Sequence, residues 1–347
     1  MSANGVSKRH SYVVFVVLLS LGLATLLGYY LLYMPYYEAK SAELSSTQKT
    51  MMLMDTVVDV RVDGRDSETL AAKVFTVMDD LEELLSRFVY GSEIAELNRR
   101  AGQWVTVSPI TLEVIELGLE MGDLTGGIFD ITIGAVLDLW GFGSGQYRVP
   151  SDEEIAAALA TVDYTKVEVD KAQGQVRIPA GTVLDLGGIA KGYIIDAGTA
   201  ILRDAQVERS IINAGGDISV IGRRPDNLPW RVGVQNPENP AEIRWILPLD
   251  DESVVTSGDY QRYFLVDGQR YHHIIDPRTG FPARELTSVT IVGENSATCD
   301  ALSTAIFVLG WEEGRALVEN LPDVEAIIVS STDTWVSPGL AKVVTSQ

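Results

Sequence analysis

Cysteine is almost absent from this sequence: Cys299 is the only one in 347 residues, so an intramolecular disulfide is excluded. Histidine is scarce as well, with three residues, and neither a His-x-x-x-His pair nor a paired-cysteine spacing occurs. A zinc enzyme is therefore not expected. Cys299 lies in an apolar stretch with no base paired to it locally, and we interpret it as a small core residue. A chain of this length can be stabilised by its hydrophobic core without disulfides.

Basic residues are also few, because 27 Lys and Arg face 48 Asp and Glu, giving a formal net charge of −21. Such a field repels phosphate backbones, so no nucleic-acid partner is expected. It repels small anionic ligands in the same way. Any anionic ligand would therefore need a local feature to hold it, such as a metal ion or a helix N-terminus.

Charged residues are missing from Tyr12 to Met34, a run of 23 residues rich in Leu, Val and Tyr. As a helix this run would be roughly 35 Å long, enough to cross a hydrocarbon core of ~30 Å. Lys8 and Arg9 precede it and Glu38 follows it, so the positive-inside rule leaves the N-terminus in the cytoplasm. A cleaved signal peptide is the alternative, although its apolar region is usually only about 7–15 residues long.

Both interpretations export the rest of the chain. We predict a cytoplasmic N-terminus (1–11), a single transmembrane anchor (12–34), a polar tether (35–50) and a catalytic domain (51–347). The anchor would place the protein in the inner (cytoplasmic) membrane, with its domain on the periplasmic or extracytoplasmic side.

The domain is predicted to begin with a strand at about 51–63 and a long amphipathic helix, whose apolar residues recur every three or four positions. These residues are Leu70, Val74, Val77, Met78, Leu81, Leu84, Leu85 and Phe88. Ser108-Pro109 predicts the start of a second helix, and Ser151 with Glu154 a capping box for a third. Short strands then follow, interrupted by helices at about 189–205 and 297–320. Strands and helices do not alternate, so the predicted fold class is α+β, with a largely antiparallel sheet and flanking helices.

Glycine is concentrated in two segments, Leu184–Gly192 and Asn213–Asp217. Such glycines let a ligand approach the backbone, and the first segment opens a predicted helix whose free N–H groups suit a pyrophosphate. Neither segment has the spacing of a dinucleotide-binding fingerprint, and Gly192 after Lys191 excludes a P-loop. Tight turns without a ligand are an equally good interpretation of these segments alone.

Two further segments carry groups capable of chemistry. Asp300 and Thr304 are four residues apart on a predicted helix, so their oxygens share a face and suit Mg²⁺; a helix cap is the alternative role. His272 and His273 are adjacent on a predicted strand and must point to opposite faces. One of them is therefore expected to face a site as an acid, a base or a phosphate contact, and the other to be structural.

Together these segments resemble the FAD:protein FMN transferase family (ApbE type) from about Met54 to the C-terminus. The shared blocks occur in the family's order, which makes a chance match to one short motif an inadequate explanation. The blocks are Met54–Thr56, Leu85–Ile94, Gly127–Thr132, Leu139–Gly143, Asp185–Gly192, Asn213–Asp217, Thr256–Tyr260, His273–Gly280 and Asp300–Thr304.

The resemblance implies roles for fourteen residues of this sequence. Those implied to line bound FAD are Met54, Phe88, Ile128, Phe129, Asp130, Gly187, Tyr193 and Ile274. Those implied to hold Mg²⁺ are Asp300, Thr304 and Ala190, the last through its backbone carbonyl. His273 is implied to lie near the reacting phosphate, with Asp259 and Arg262 as further site residues. Phe88 stands where relatives can have tyrosine, which preserves stacking on a ring but removes a hydroxyl contact.

The resemblance also implies a reaction: Mg²⁺-dependent transfer of FMN from FAD to a Ser or Thr hydroxyl of an acceptor flavoprotein, for example a subunit of a membrane redox complex, with release of AMP. We expect the metal alone to offset the pyrophosphate charge. Two alternatives stay open, an FAD pyrophosphatase that uses water and an exported flavin-binding protein without catalysis. The chain lacks an Asp-x-x-Ser/Thr-Gly-Ala-Ser/Thr segment, so we expect it to be the donor enzyme and not the acceptor.

Overall fold

The computed structural model of the protein describes residues 18–34 and 45–346. Its helices are α1 (18–34), α2 (Ser67–Leu85), α3 (Glu93–Arg99), α4 (Pro109–Leu124), α5 (Gly134–Trp140), α6 (Asp152–Leu159), α7 (Ala190–Asp204), α8 (Ser296–Leu309) and α9 (Trp311–Asn320). Its strands are β1 (Ser46–Leu53), β2 (Thr56–Asp63), β3 (Val105–Thr106), β4 (Glu168–Asp170), β5 (Gln175–Arg177), β6 (Arg209–Ala214), β7 (Asp217–Ile221), β8 (Trp230–Asn236), β9 (Asn239–Leu249), β10 (Ser253–Gly258), β11 (Tyr263–Val266), β12 (Gln269–His272), β13 (Leu286–Gly293), β14 (Glu325–Ser330), β15 (Thr334–Val336) and β16 (Thr345–Ser346).

The largest sheet has eight strands in the order β1-β2-β6-β7-β10-β13-β14-β15. Each neighbouring pair in it is antiparallel. Helices flank this sheet and do not alternate regularly with its strands along the chain. The predicted α+β class with a largely antiparallel sheet is therefore confirmed.

Helices α2, α7 and α8 cover one face of the sheet. Alternation along β2 directs Val58, Val60 and Val62 to this face, and all three are completely buried. They belong to the main core together with Met78 of α2 and Ile195 of α7. Burying side chains of this size stabilises the fold by about 1.5–3 kcal/mol each, which explains how the domain folds without disulfides.

The opposite face of the sheet is covered by the β8–β9 hairpin. Its residues Trp230, Trp245 and Leu247 are buried against Val220 of β7 and Ile327 of β14 in a second core. The sheet is thus buried on both faces, and the helical face is the one that leads to the candidate site.

A smaller aromatic cluster fixes the β11–β12 hairpin to α5. Trp140 stacks on Tyr271 with ring centroids 5.4 Å apart and meets Phe281 edge-on at 5.6 Å. The Trp140 indole N–H donates a 2.8 Å hydrogen bond to the Gly280 carbonyl. The cluster therefore holds the segment that follows β12, where His273 lies, in a fixed position.

Several predicted helix boundaries are confirmed. The Ser108 hydroxyl accepts a hydrogen bond from the Thr111 amide at the start of α4, and Ser151 and Glu154 form the expected capping box on α6. The helix predicted at about 297–320 is instead two helices, α8 and α9. They are divided at Gly310, whose φ of 84° is not helical.

The strand predicted at about 51–63 is a hairpin, and its first strand begins earlier than expected. β1 pairs with β2 from Ser46↔Asp63 to Leu53↔Thr56, which leaves Met54-Asp55 as a two-residue turn. Both turn residues have positive φ, 53° and 56°, the twist that joins hairpin strands tightly. Residues 46–50, assigned above to the tether, therefore belong to the sheet, because their backbone pairs with β2.

Residues 18–34 of the predicted anchor form α1. The predicted cytoplasmic residues 1–11, the first part of the anchor (12–17) and residues 35–44 of the tether lie outside the described residues. Within the described ranges, no helix combines the length and the apolar character that a membrane crossing requires. The anchor stays a prediction.

Candidate active site

A cavity of about 740 Å³ opens beside the N-terminus of α7. Twelve of the fourteen site residues predicted from the sequence line it: Met54, Phe88, Ile128, Phe129, Asp130, Gly187, Ala190, Arg262, His273, Ile274, Asp300 and Thr304. They come from seven separate segments of the chain. The volume falls within the roughly 300–1,000 Å³ typical of sites for small molecules and cofactors.

The inner end of the cavity depends on close contact between α7 and the start of α8. Gly192, in the first turn of α7, would place a Cβ atom 2.3 Å from the Ser296 carbonyl oxygen, so only glycine fits there. Its amide donates a 3.1 Å hydrogen bond to Asp300 Oδ2. This contact brings the Asp300 carboxylate to the cavity wall.

Replacing Gly192 with alanine is expected to lower the free energy of unfolding by about 1–3 kcal/mol, because the new methyl group meets backbone atoms that cannot move aside. Gly198→Ala is the matched control in the same helix, since its Cβ would meet the Ile212 and Val74 methyl groups at 3.1 Å, which can shift. We expect the control to be close to neutral in urea unfolding. Equal losses in the two variants would contradict the assignment of this contact.

Asp300, Thr304 and Ala190 all line the cavity. The Thr304 hydroxyl lies 3.4 Å from the Ser257 hydroxyl, and Asp300 Oδ2 accepts the Gly192 amide described above. Burial, with Asp217 nearby, raises the pKa of Asp300, although Lys191 opposes the shift. A cation would therefore stabilise this carboxylate in its charged form.

This donor set fits Mg²⁺ better than a transition metal. It consists of hard oxygen atoms, and among the described residues no cluster of three or more His, Cys, Asp or Glu side chains could hold a metal ion. Mg²⁺ is commonly bound through one or two carboxylates and completes its shell with water and substrate phosphate. The residues present are thus compatible with the predicted ion.

The two adjacent histidines face opposite ways, as predicted. His272 is buried, with Nε2 2.6 Å from the Ala283 carbonyl oxygen and Nδ1 accepting the Ile274 amide. His273 lines the cavity, and its Nδ1 lies 3.2 Å from the Arg262 carbonyl oxygen. Because a carbonyl only accepts, Nδ1 carries the proton and Nε2 keeps its lone pair. Burial and the Arg262 guanidinium lower the pKa of His273 to about 3, so the ring is neutral near pH 7.

His272 should make stability depend on pH, because burial lowers its pKa from 6.5 to about 4. Below pH 6.5 the unfolded chain binds a proton there that the folded chain does not, so acidification destabilises the fold by up to ~1.4 kcal/mol per pH unit down to pH ~4. His272→Gln removes this contribution. The difference in unfolding free energy between wild type and variant should narrow by about 2 kcal/mol from pH 7.5 to pH 5. A constant difference in urea unfolding would show that His272 does not titrate in this way.

The outer end of the cavity carries Met54 and Phe88. The left-handed turn described above presents Met54, whose amide donates to Glu82 Oε2 at 2.6 Å. Phe88 is 58% exposed, and the Arg87 guanidinium lies 4.4 Å from its ring centroid. Arg87 pairs with Asp138 at 2.9 Å and with Asp185 at 2.5 Å. These ion pairs fix the loop on which Phe88 lies. Asp138 attaches the loop to α5, and Asp185 attaches it to the glycine segment Leu184–Gly192.

Asp130 lines the cavity but also holds its own turn. Its Oδ1 accepts the Thr132 amide at 2.7 Å and the Thr132 hydroxyl at 2.5 Å, while Oδ2 accepts the Tyr164 amide at 3.1 Å. Burial raises its pKa. The carboxylate is therefore engaged in the loop that shapes the wall beside Phe129.

Two of the predicted residues do not line the cavity. The Tyr193 hydroxyl donates a 3.1 Å hydrogen bond to Glu113. Asp259 forms a 2.8 Å ion pair with Arg270, and burial raises its pKa. Their roles at the site stay predictions.

Sequence reasoning missed two cations of the cavity wall, Arg87 and Lys191. With Arg262 they place three cations at the cavity wall, although Arg87 and Lys191 are each already paired with aspartates. The expectation that a metal alone offsets an anionic ligand stays a prediction. The signal was present, because Arg87 adjoins Phe88 and Lys191 adjoins Ala190 within segments already singled out. What the sequence could not show is that both side chains reach the same cavity.

Comparison with known proteins identifies the family. The model of the ApbE family matches residues 54–328. An FAD:protein FMN transferase of Klebsiella pneumoniae (strain 342) is 36% identical over 283 residues, covering 80% of this chain and 87% of that protein. One from Treponema pallidum (strain Nichols) is 34% identical over 310 residues, covering 83% of this chain and 85% of that protein.

Solved structures show the same fold. The crystal structure of the ApbE protein of Thermotoga maritima superimposes with a TM-score of 0.82 at 35% identity, covering 86% of this chain and 99% of that one. The flavin transferase ApbE of Vibrio cholerae gives a TM-score of 0.77 at 28% identity, with 86% and 99% covered. Sequence and fold therefore show that this chain belongs to the ApbE family.

Proposed function

We propose that this chain is an FAD:protein FMN transferase, which moves FMN from FAD onto a Ser or Thr hydroxyl of an acceptor flavoprotein and releases AMP. One observation carries the proposal: twelve residues implied by the family resemblance, from seven segments, line a single cavity. Relatives more than 30% identical over most of the chain bear the name of this activity.

The inner end of the cavity would receive the pyrophosphate. A Mg²⁺ ion held by the Asp300 carboxylate, the Thr304 hydroxyl and the Ala190 carbonyl would neutralise charge on the phosphate oxygens. The N-terminus of α7 adds the partial positive charge of the helix dipole. Met54 and Phe88 at the outer end supply apolar surface and an exposed ring suited to stacking on part of the dinucleotide.

His273 is proposed to act as the general base. Its neutral ring has a free lone pair on Nε2, as the contact of Nδ1 with the Arg262 carbonyl requires. The acceptor hydroxyl attacks the FMN phosphorus and forms the new P–O bond, the bond to AMP breaks, and Nε2 takes the hydroxyl proton. AMP leaves with the electron pair of the broken bond.

The decisive experiment incubates the protein with FAD, Mg²⁺ and an acceptor protein that carries an Asp-x-x-Ser/Thr-Gly-Ala-Ser/Thr segment, followed by mass spectrometry. We expect AMP release and an acceptor heavier by one FMN unit. An acceptor with its Ser or Thr replaced by alanine is the control and should stay unmodified. Rapid FAD hydrolysis without attached flavin would make the protein a pyrophosphatase, and FAD binding without turnover would make it a flavin-binding protein.

We also propose that residues 12–34 anchor the protein in the cytoplasmic membrane, with the domain on the extracytoplasmic side. The support is the uncharged run from Tyr12 to Met34 behind Lys8 and Arg9. A reporter fused after Gln347 should be active only outside the cytoplasm, and the protein should stay with membranes after a high-salt wash. A reporter active only in the cytoplasm would overturn this topology.

A further inference from the structure

Lys191 lies in the first turn of α7 and lines the cavity at the end that carries Asp300. Its ammonium group forms an ion pair with Asp217, the first residue of β7. We propose that Lys191 is a further catalytic residue, which contacts the FAD pyrophosphate and stabilises the charge that develops as the bond to AMP breaks. This inference rests on the proposed function and adds a residue to that site.

Asp217 is built to hold this ammonium group in place. Its side chain is 2% exposed, and its Oδ1 accepts a 3.1 Å hydrogen bond from the Thr256 amide of β10. The carboxylate is thus fixed by the main sheet, and Oδ2 faces Lys191. Such support from a rigid element positions a charged group better than a surface loop can.

The ammonium group has more N–H donors than its ion pair with Asp217 uses. A lysine carries three N–H donors, and Asp217 is the one ion-pair partner that Lys191 has among the described residues. Its side chain is 30% exposed and lines the cavity, whereas its partner Asp217 is buried. The remaining donors can therefore reach a phosphate oxygen without breaking the existing ion pair.

The charges around Lys191 also support a contact between its ammonium group and the pyrophosphate. Lys191 interacts electrostatically with Asp217, Asp300 and Arg262, so two carboxylates and two cations balance. A pyrophosphate with two negative charges is then matched by one divalent cation, and no charge is left unpaired. Without Lys191, the pyrophosphate would enter beside a buried and unpaired Asp217 carboxylate, which is strongly unfavourable.

The rival explanation is structural, with Lys191 serving only to neutralise Asp217. Lys191→Met alone cannot separate the two roles, because it removes the charge and also leaves Asp217 unpaired. The double variant Lys191→Met/Asp217→Asn can, since the new side-chain amide oxygen still accepts the Thr256 amide and no buried charge remains at either position. Lys191→Arg retains the positive charge and serves as the conservative variant.

The experiment measures FMN transfer, thermal stability and the affinities for FAD and for riboflavin, which lacks the pyrophosphate. We expect the double variant to regain the stability lost in Lys191→Met yet to transfer FMN about 10²–10³-fold more slowly than wild type. Its FAD affinity should fall at least about tenfold while riboflavin affinity stays unchanged, and Lys191→Arg should recover part of the rate.

Recovery of wild-type transfer by the double variant would overturn the proposal, as would equal losses of FAD and riboflavin affinity. Failure of the proposed function is distinguishable, because it would appear in the wild-type protein as absent transfer. The ratio of FAD to riboflavin affinity would still report on Lys191 in that case.

Discussion

Asp300→Asn is expected to lower the rate of FMN transfer by about 10²–10³-fold or more at saturating FAD, and added Mg²⁺ should not restore it. The substitution removes the carboxylate charge proposed to bind the metal. It leaves an amide oxygen that can still accept the Gly192 amide, so the fold should be retained. The measurement is AMP release against Mg²⁺ concentration, with chelation by EDTA abolishing the wild-type rate.

Asp196→Asn is the matched control for this variant. Asp196 is a half-buried carboxylate between α7 and α8, where it accepts the Ser296 and Ala297 amides at 2.7 and 2.8 Å. It does not line the cavity. Its replacement should cost about 1 kcal/mol of stability and leave the rate nearly unchanged. Wild-type activity in Asp300→Asn, with or without EDTA, would remove the metal from the mechanism.

His273→Ala is expected to slow transfer by about 10²–10⁴-fold while changing the FAD dissociation constant only a few-fold, because general base catalysis contributes to the transition state and little to binding. Because the pKa of His273 is about 3 in the free enzyme, its ring stays neutral from pH 8 down to pH 5. The wild-type rate should therefore not fall over this range through protonation of His273. Single-turnover rates and FAD binding together provide the test.

His272→Gln is the companion variant, because His272 is adjacent in sequence but faces away from the cavity. It should lose stability and keep most of the transfer rate per folded molecule. Parallel losses of FAD affinity and rate in His273→Ala would reassign His273 to binding and leave the base unidentified.

The predictable parts of this protein are those that depend on local periodicity. The four-residue spacing of Asp300 and Thr304 brings both to the cavity from α8, and the expectation that His272 and His273 face opposite ways is confirmed although β12 ends at His272. The start of α7 follows from the glycine segment before it. Each of these inferences needed only the geometry of one helix or one strand.

The unpredictable parts depend on residues far apart in the chain. Arg87 meets Asp185 98 positions away, and Lys191 meets Asp217 only because β7 lies beside the first turn of α7. The fit of Gly192 against Ser296 is likewise a contact between two helices. Tyr193 shows the converse, since its segment forms part of the site while its own side chain turns to Glu113.

The two ends of the cavity differ in the free energy that local opening of the structure would cost. The inner end is built on α7 and α8, whose residues Ile195 and Phe307 are fully buried in the main core, so opening it costs nearly the whole free energy of folding. The outer end is a two-residue turn and a surface loop, where Tyr90 is fully exposed, and such segments open at little cost. We therefore expect substrate to exchange through the outer end, with the interactions of the inner end, which stabilise the fold, kept intact during turnover.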